Sequence, residues 1–530
     1  MVPRFYQSFL SNFLVAFLGV FLLGAGELVL RICGVGSDFD LVVEGDTPAG
    51  MGKYSLNSQY VALHYFRHLP VKLTSLFKES PWFPDTEFSR KKAPGTYRIF
   101  LVGASTTRGF PFNDRKISYS GFLGQILKDV LPGHAAEVVN AGYDAISSYG
   151  VEDIFRQLLE YDPDLIVVYS GHNEFIGHFG ANSKVNFGNR FVNDLTTRLY
   201  RSRLFFVSEL LTLKLASLAK PESSRSERVN MFKVMMKENK MTWTGRDHAD
   251  TLENYERNLG DMARMAKEKR VRVIFSTLAS NLRDFSPVRS EADPNLGPAQ
   301  RTVFMSGLQK AREAMAGGGL DEAIAFFREV QSVDPHYAQE HFELARAYER
   351  KGDYRRAHEE YVNAREDDKV HLRACVLFNQ AVERVGKTEN APVIDMETEL
   401  ERLSPNGLIG SNFFLEHVHP NINGHLIMAD ALARFLARND FIEPQDRWDW
   451  SRLRSAREYV RESGFDKKRH VSAQYMVGRL LLDFPFYKCA EGVEYLEQIG
   501  AASEEKDLIG QCYERAKAPE EGAVMAAAKG

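Results

Sequence analysis

The 530-residue sequence is poor in cysteine: Cys33, Cys375, Cys489 and Cys512 are its only thiols, and they lie far apart. No two of them stand at CxxC or another metal-ligand spacing, so a cysteine-based metal or redox motif is not indicated. They read most simply as four unrelated thiols, with no disulfide required. Cys33, preceded by Leu30-Arg31-Ile32, also lacks the small residue that a bacterial lipid-attachment site needs. An excess of one charge is missing too. Against 67 Lys and Arg stand 71 Asp and Glu, a net charge of −4, without the basic stripe of a nucleic-acid binder. With 44% hydrophobic and 26% charged residues the composition is that of an ordinary globular protein. At this length two to four structural units are expected.

One long apolar run is present, at residues 13–30, interrupted only by Glu27 near its end. Its length falls within the roughly 17–25 residues that a bilayer requires. Arg4 precedes it and Asp38, Asp40, Glu44 and Asp46 follow, so the positive-inside rule puts the N-terminus in the cytoplasm and the rest outside. A cleaved signal peptide is the alternative, since Gly24-Ala25-Gly26 is a tolerable cleavage site. The return of apolar character at Leu28-Val29-Leu30 favours an uncleaved single-pass anchor over residues 1–34. Residues 35–97, punctuated by Pro70, Pro81, Pro84 and Pro94, read as an extracytoplasmic linker with one short helix.

From residue 98 the pattern becomes regular. Short apolar runs predict buried strands at 98–102, 137–140, 165–170, 271–276 and 392–395, with helical spacing between them. Such alternation makes βαβ units and a parallel sheet covered on both faces: a flavodoxin-like three-layer α/β/α domain. It is split into residues 98–303 and 371–440. A long excursion, 175–248, has no readable pattern. A second interruption holds a repeat. Gly318, Leu320, Ala323, Phe327, Val330 and Asp334 return 34 residues later as Gly352, Tyr354, Ala357, Tyr361, Ala364 and Asp368. That is the tetratricopeptide (TPR) period. Two such α-helical hairpins, over 304–370, are too few to stand alone and must lean on their neighbours. Residues 372–385 read as the core helix feeding the last strand, and 441–530 as a helical, charged C-terminal region.

Open parallel sheets keep their working residues just past the carboxyl ends of the strands. There the sequence has Gly103-Ala104-Ser105-Thr106, then Asn140-Ala141-Gly142, then Gly171-His172-Asn173-Glu174. After the last strand comes Glu416-His417-Val418-His419-Pro420. A serine hydroxyl needs a base to become nucleophilic, and imidazole titrates near neutrality. His419 is favoured over His417 and His425 because it alone has both a following proline and a carboxylate at i−3. In a helical turn Glu416 would share a face with His419 and hold the ring's other N–H. A Gly-x-Ser-x-Gly elbow is absent, since Thr107 stands where the second glycine belongs, which argues against the ordinary α/β-hydrolase fold.

These blocks resemble those of the SGNH/GDSL hydrolase family, whose serine, glycine, asparagine and histidine fall on Ser105, Gly142, Asn173 and His419. The likeness spans residues 95–440 and is nearest to anchored members with inserted tetratricopeptide repeats. Three positions depart from the family pattern: Ala104 and Glu174 replace aspartates, and Glu416 replaces the aspartate before the histidine. The resemblance implies a metal-free, cofactor-free serine esterase with Ser105, His419 and Glu416 catalytic. The Ser105 and Gly142 N–H groups and the Asn173 amide would form the oxyanion hole, with His172 a possible substrate contact. The location suggests an ester of a cell-envelope glycan or lipid, in the periplasm if the cell is bacterial. Two alternatives follow from the same residues: a polysaccharide O-acetyltransferase, or a non-catalytic scaffold binding a protein partner through its hairpins.

Overall fold

A computed structural model describes residues 4–36, 40–44, 52–65, 86–112, 114–186, 188–219, 236 and 245–527. Eight strands are defined among them: β1 (Val42–Glu44), β2 (Lys53–Leu56), β3 (Thr86–Ser89), β4 (Thr96–Gly103), β5 (Ala135–Gly142), β6 (Leu165–Tyr169), β7 (Arg272–Ser276) and β8 (Val393–Ile394). The last five form one parallel sheet in the order β5-β4-β6-β7-β8. Counted from β4 this is 2-1-3-4-5, the flavodoxin-like order, with its switch point between β4 and β6. All five expected strands are present within about two residues. Their apolar runs belong to a sheet covered on both faces, and β6 is buried at every position.

Helices from the crossovers pack in two layers on the sheet. Tyr119–Val130 packs against Ile422–Arg438 in one layer. In the other, Gly245–Lys269 lies between Ser148–Leu158 and Val376–Glu389. The helix Val376–Glu389 leads into β8, as expected of the segment before the last strand.

Three regions differ from the sequence reading. Residues 35–97 are more than a linker with one short helix where they are described: β1, β2 and β3 make an antiparallel sheet. Leu41, Leu56, Tyr60, Val61, Tyr65 and Phe88 bury their side chains in the main core. Buried Arg98 binds this sheet to the domain through Glu137 (2.7 Å) and the carbonyls of Ser89 and Tyr161 (both 2.6 Å). Short strands with mixed polarity gave little periodic signal, which is why the segment read as a linker; residues 66–85, with three of its prolines, lie outside the described residues.

Among its described residues, the excursion after residue 175 contains the helices Arg190–Tyr200 and Arg203–Ala219. The four thiols are not all unrelated, because Cys489 and Cys512 form a disulfide. Their 23-residue separation matches no short motif. The helices Lys467–Leu482, Cys489–Gln498 and Lys506–Ala527 fold back on one another and bring the two Cα atoms to 5.8 Å.

The repeat segment forms four helices: Pro298–Gly317, Leu320–Val333, Ala338–Lys351 and Tyr354–Glu366. The repeated Ala323, Phe327, Val330, Ala357, Tyr361 and Ala364 all lie in one buried cluster, which also takes in Leu282 and Leu408 from the α/β domain. The first helix, Arg4–Ile32, carries a 21-residue apolar stretch, Asn12–Ile32, none of it buried in the protein.

Candidate active site

Ser105 opens the short helix Ser105–Arg108 just beyond β4, and its first-turn N–H has no intrahelical acceptor. Two glycines let this helix sit where it does. A Cβ on Gly103 would come 2.2 Å from the Tyr169 carbonyl, and one on Gly142 would come 2.3 Å from the Arg108 nitrogen. Asn140, at the end of β5, then fastens the helix: its Nδ2 donates to the Thr107 carbonyl at 2.8 Å. The Tyr119 hydroxyl donates to Thr107 Oγ1 at 3.1 Å.

His419 arrives from the other end of the domain on a loop that precedes the helix Ile422–Arg438. The loop is closed by a bridge between Phe414 and Pro420 and by a 2.9 Å bond from the Leu415 N–H to the His419 carbonyl. Glu416 and His419 therefore meet across a tight bend, not along the helical turn expected from their spacing. The bend absorbs glutamate's extra methylene. Thr106 Oγ1 donates to the Val418 carbonyl at 3.1 Å, joining the histidine loop to the serine helix directly.

His419 Nε2 lies 2.8 Å from Ser105 Oγ, and His419 Nδ1 is paired with Glu416 Oε1. This is a serine–histidine–carboxylate relay with each link in hydrogen-bond reach. Glu416 and His419 are buried and Ser105 half-buried. The Glu416 carboxylate also accepts the backbone N–H groups of His417 (2.7 Å) and His419 (3.1 Å), so its position is fixed on several sides. Burial pulls the His419 pKa down to about 4, with Asp144 opposing and Arg108 reinforcing that shift. The ring is thus neutral near pH 7, the form that takes a proton.

His417 contacts the other Glu416 oxygen and is enclosed by Phe285 and Phe486, at ring separations of 5.5 and 4.9 Å. His425 is buried beside Tyr119 and Phe112. Neither faces Ser105. Glu416, His417 and His419 each offer a possible metal ligand within 4.8 Å of the others. Glu416 and His419 are already joined in the relay, and His417 packs against the second Glu416 oxygen.

The remaining predicted residues are nearby but differently engaged. The Gly142 N–H donates to Asn140 Oδ1 at 2.9 Å, so the missing side chain at 142 serves the close approach of the serine helix. Asn173 Nδ2 donates to the Ile146 carbonyl at 3.2 Å, leaving its second amide hydrogen for another acceptor. His172 is buried, and its Nδ1 accepts the Ala374 N–H at 3.1 Å, a bond that positions the approach to Val376–Glu389. Burial, with smaller effects from His419, Arg365 and Arg373, lowers its pKa to about 3. Glu174, where the family resemblance expects aspartate, accepts the N–H and hydroxyl of Ser148 at 2.8 and 2.7 Å and caps that helix.

Two features escaped sequence reasoning. Asn140 was noted only as a strand end, although its single amide organises both Thr107 and Gly142. Ala145, with φ of 59°, holds a left-handed conformation that costs a non-glycine residue about 1–3 kcal/mol. It lies in the loop between Asp144, paired with Arg108, and Ile146, bonded to Asn173. Only a turn signal existed there, and composition does not distinguish a strained alanine from an ordinary one.

A three-layer α/β fold with a serine–histidine–glutamate relay at its strand ends defines the class of the molecule. No family model matches the sequence, and no curated protein matches it. Among solved structures it overlaps an acetylxylan esterase from Geobacillus stearothermophilus at 12% identity and a TM-score of 0.27, over 68% of this chain and 97% of that one. A GDSL-like lipase from Bacteroides thetaiotaomicron overlaps at 12% identity and 0.27, over 64% and 88%. A lipase/acylhydrolase from Enterococcus faecalis overlaps at 13% and 0.27, over 64% and 95%. At such TM-scores the overlaps decide nothing about chemistry, and the case rests with the side chains.

Proposed function

We propose that the chain is a membrane-anchored serine esterase of the SGNH type that works by acyl transfer through Ser105. The observation that carries this reading is the unbroken relay Ser105 Oγ–His419 Nε2, His419 Nδ1–Glu416. As Ser105 attacks an ester carbonyl, its proton passes to His419 Nε2, and Glu416 stabilises the imidazolium that forms. Collapse of the tetrahedral intermediate expels the alcohol, which takes that proton, and leaves an acyl-Ser105. Water, deprotonated by the same imidazole, then releases the acid.

The Ser105 N–H at the helix start and the second Asn173 amide hydrogen are the donors best suited to the oxyanion. Gly142 joins them only if its bond to Asn140 opens. The apolar first helix supports a single-pass anchor with the domain outside the cytoplasm, and the Cys489–Cys512 disulfide suits an oxidising compartment. An ester of an envelope glycan or lipid fits that placement.

The two helical hairpins are read as tetratricopeptide units that recruit a protein partner. A groove of about 480 Å³, lined by Arg312, Phe342, Glu343, Arg346 and Arg350 among others, supports this role. Deleting residues 304–370 is expected to lose a partner or alter substrate choice; unchanged preference would count against it.

The test of the enzymatic reading is p-nitrophenyl acetate hydrolysis by the full chain in detergent. Steady release of acetate is expected. An added oligosaccharide that captures the acetyl group in place of water would move the assignment to O-acetyltransferase. Inert, folded protein would leave the scaffold reading.

A further inference from the structure

The single charge within the apolar run 13–30, Glu27, has a structural task. Glu27 accepts the backbone N–H groups of Arg203 (3.0 Å) and Leu204 (2.9 Å) and the hydroxyl of Ser202 (2.8 Å). It therefore supplies the N-terminal cap for the helix Arg203–Ala219 from another element. Arg31 donates to the Arg201 carbonyl at 3.0 Å, and Arg203 reaches back to the Gly36 carbonyl and Asp40. The two helices Arg190–Tyr200 and Arg203–Ala219 are thus fastened at their junction to the outer end of the anchor.

Both carry apolar side chains away from the domain. In Arg190–Tyr200 the inner face is occupied by buried Asn193 and Tyr200 and by Arg190, paired with Asp261. On the opposite face Phe191, Val192, Leu195 and Leu199 are exposed, Phe191 at 73%. The second helix has only Glu209 and Lys214 as charged residues beyond Arg203, and Leu210, Leu211 and Leu215 stand 48–58% exposed. Two neighbouring helices with exposed leucines and phenylalanine form a patch that water disfavours. No described residue covers it.

We propose that these helices are a second membrane contact, lying in the lipid interface beside the anchor and fixing the height of the catalytic domain over the bilayer. This rests on the anchor reading. Continuity with the anchor selects lipid as the occupant: the bonds to Glu27 and Arg31 hold the patch at the end of the segment that leaves the bilayer. Helices with apolar residues on one side and a fixed polar attachment on the other settle into the headgroup–acyl boundary. The consequence is functional. A domain held at set height and tilt meets substrates embedded in, or attached to, the same membrane.

The test uses the full chain, carrying Cys33→Ser, in phosphatidylcholine vesicles. Leu195→Cys, Leu211→Cys and Leu215→Cys are each labelled with an environment-sensitive fluorophore. Val20→Cys reports on the anchor and Lys310→Cys on a water-facing helix. Labels at 195, 211 and 215 are expected to be quenched by doxyl-labelled lipid and shielded from aqueous iodide, with the label at 310 behaving oppositely. If position 20 lies in lipid while 195, 211 and 215 are open to iodide, or are shielded from both quenchers by protein, the interfacial proposal is overturned and the anchor stands. If position 20 is itself open to iodide, the anchor reading fails and the interfacial one with it.

Discussion

The two halves of the candidate site differ in how far they are assembled. The proton-transfer half is complete: Ser105 is bonded to His419 and His419 to Glu416, and Thr106 clamps the serine helix to the histidine loop. The charge-stabilising half is not. Gly142 gives its N–H to Asn140, and Asn173 gives one amide hydrogen to Ile146. Acid–base groups must be matched before substrate arrives, whereas oxyanion donors act on an atom that only the substrate brings. Substitutions in the first half should therefore remove chemistry, and those in the second should scale it.

The largest effect is expected for Ser105→Ala, a loss of about 10⁴-fold or more in kcat for p-nitrophenyl acetate, with His419→Ala equal and the double variant no worse. Glu416→Gln should follow at about 10³–10⁴-fold, because the ring loses its orienting anion; burst kinetics with the wild type as reference would measure it. Asn173→Ala should cost about 10²-fold in kcat with little change in KM. A Gly142→Ala variant separates the two halves most sharply. Its methyl would press on the Arg108 backbone, so thermal stability should fall together with activity. A stable but slow Gly142→Ala protein would instead mean that the methyl obstructs the substrate and not the serine helix.

The smallest effect concerns pH. Burial lowers His172, His371 and His425 to about 3 and His419 to about 4, from an ordinary 6.5. Between those values the unfolded chain binds protons that the folded one refuses, so stability declines as pH falls below 6.5. Glu174 and Glu340, raised to about 7 and about 8 by burial, oppose this in part. Calorimetry from pH 7 to 5 should show a falling Tm; a rising one would contradict the neutral, buried histidines. The acid limb of kcat/KM should lie below the ordinary imidazole value, since His419 loses its role as base only on protonation.

Much of the fold was legible because buried parallel strands write themselves as apolar runs such as 165–169, and because βαβ spacing leaves few topologies. That Ser105, His419 and Glu416 come together was legible for a related reason: strand-end motifs carry rare residue types in a fixed order. The packing at Gly142 was not. Its need for a bare Cα arises from a helix 34 residues earlier in the chain, a packing fact with no local trace. The Cys489–Cys512 bond was hidden likewise, since only the fold-back of three helices makes neighbours of the two thiols. Short β1–β3 lacked clear periodicity, and Glu27 read as an interruption because its partners in Ser202–Leu204 lie far along the chain.

An activated Ser105 would reveal itself by phosphonylation. The full chain in detergent is treated with a fluorophosphonate and digested, and the modified peptide is found by mass spectrometry. A single adduct on Ser105 is expected, lost in Ser105→Ala and strongly slowed in His419→Ala and Glu416→Gln. Folded wild-type protein that takes no label, or a label that persists in Ser105→Ala, would contradict it.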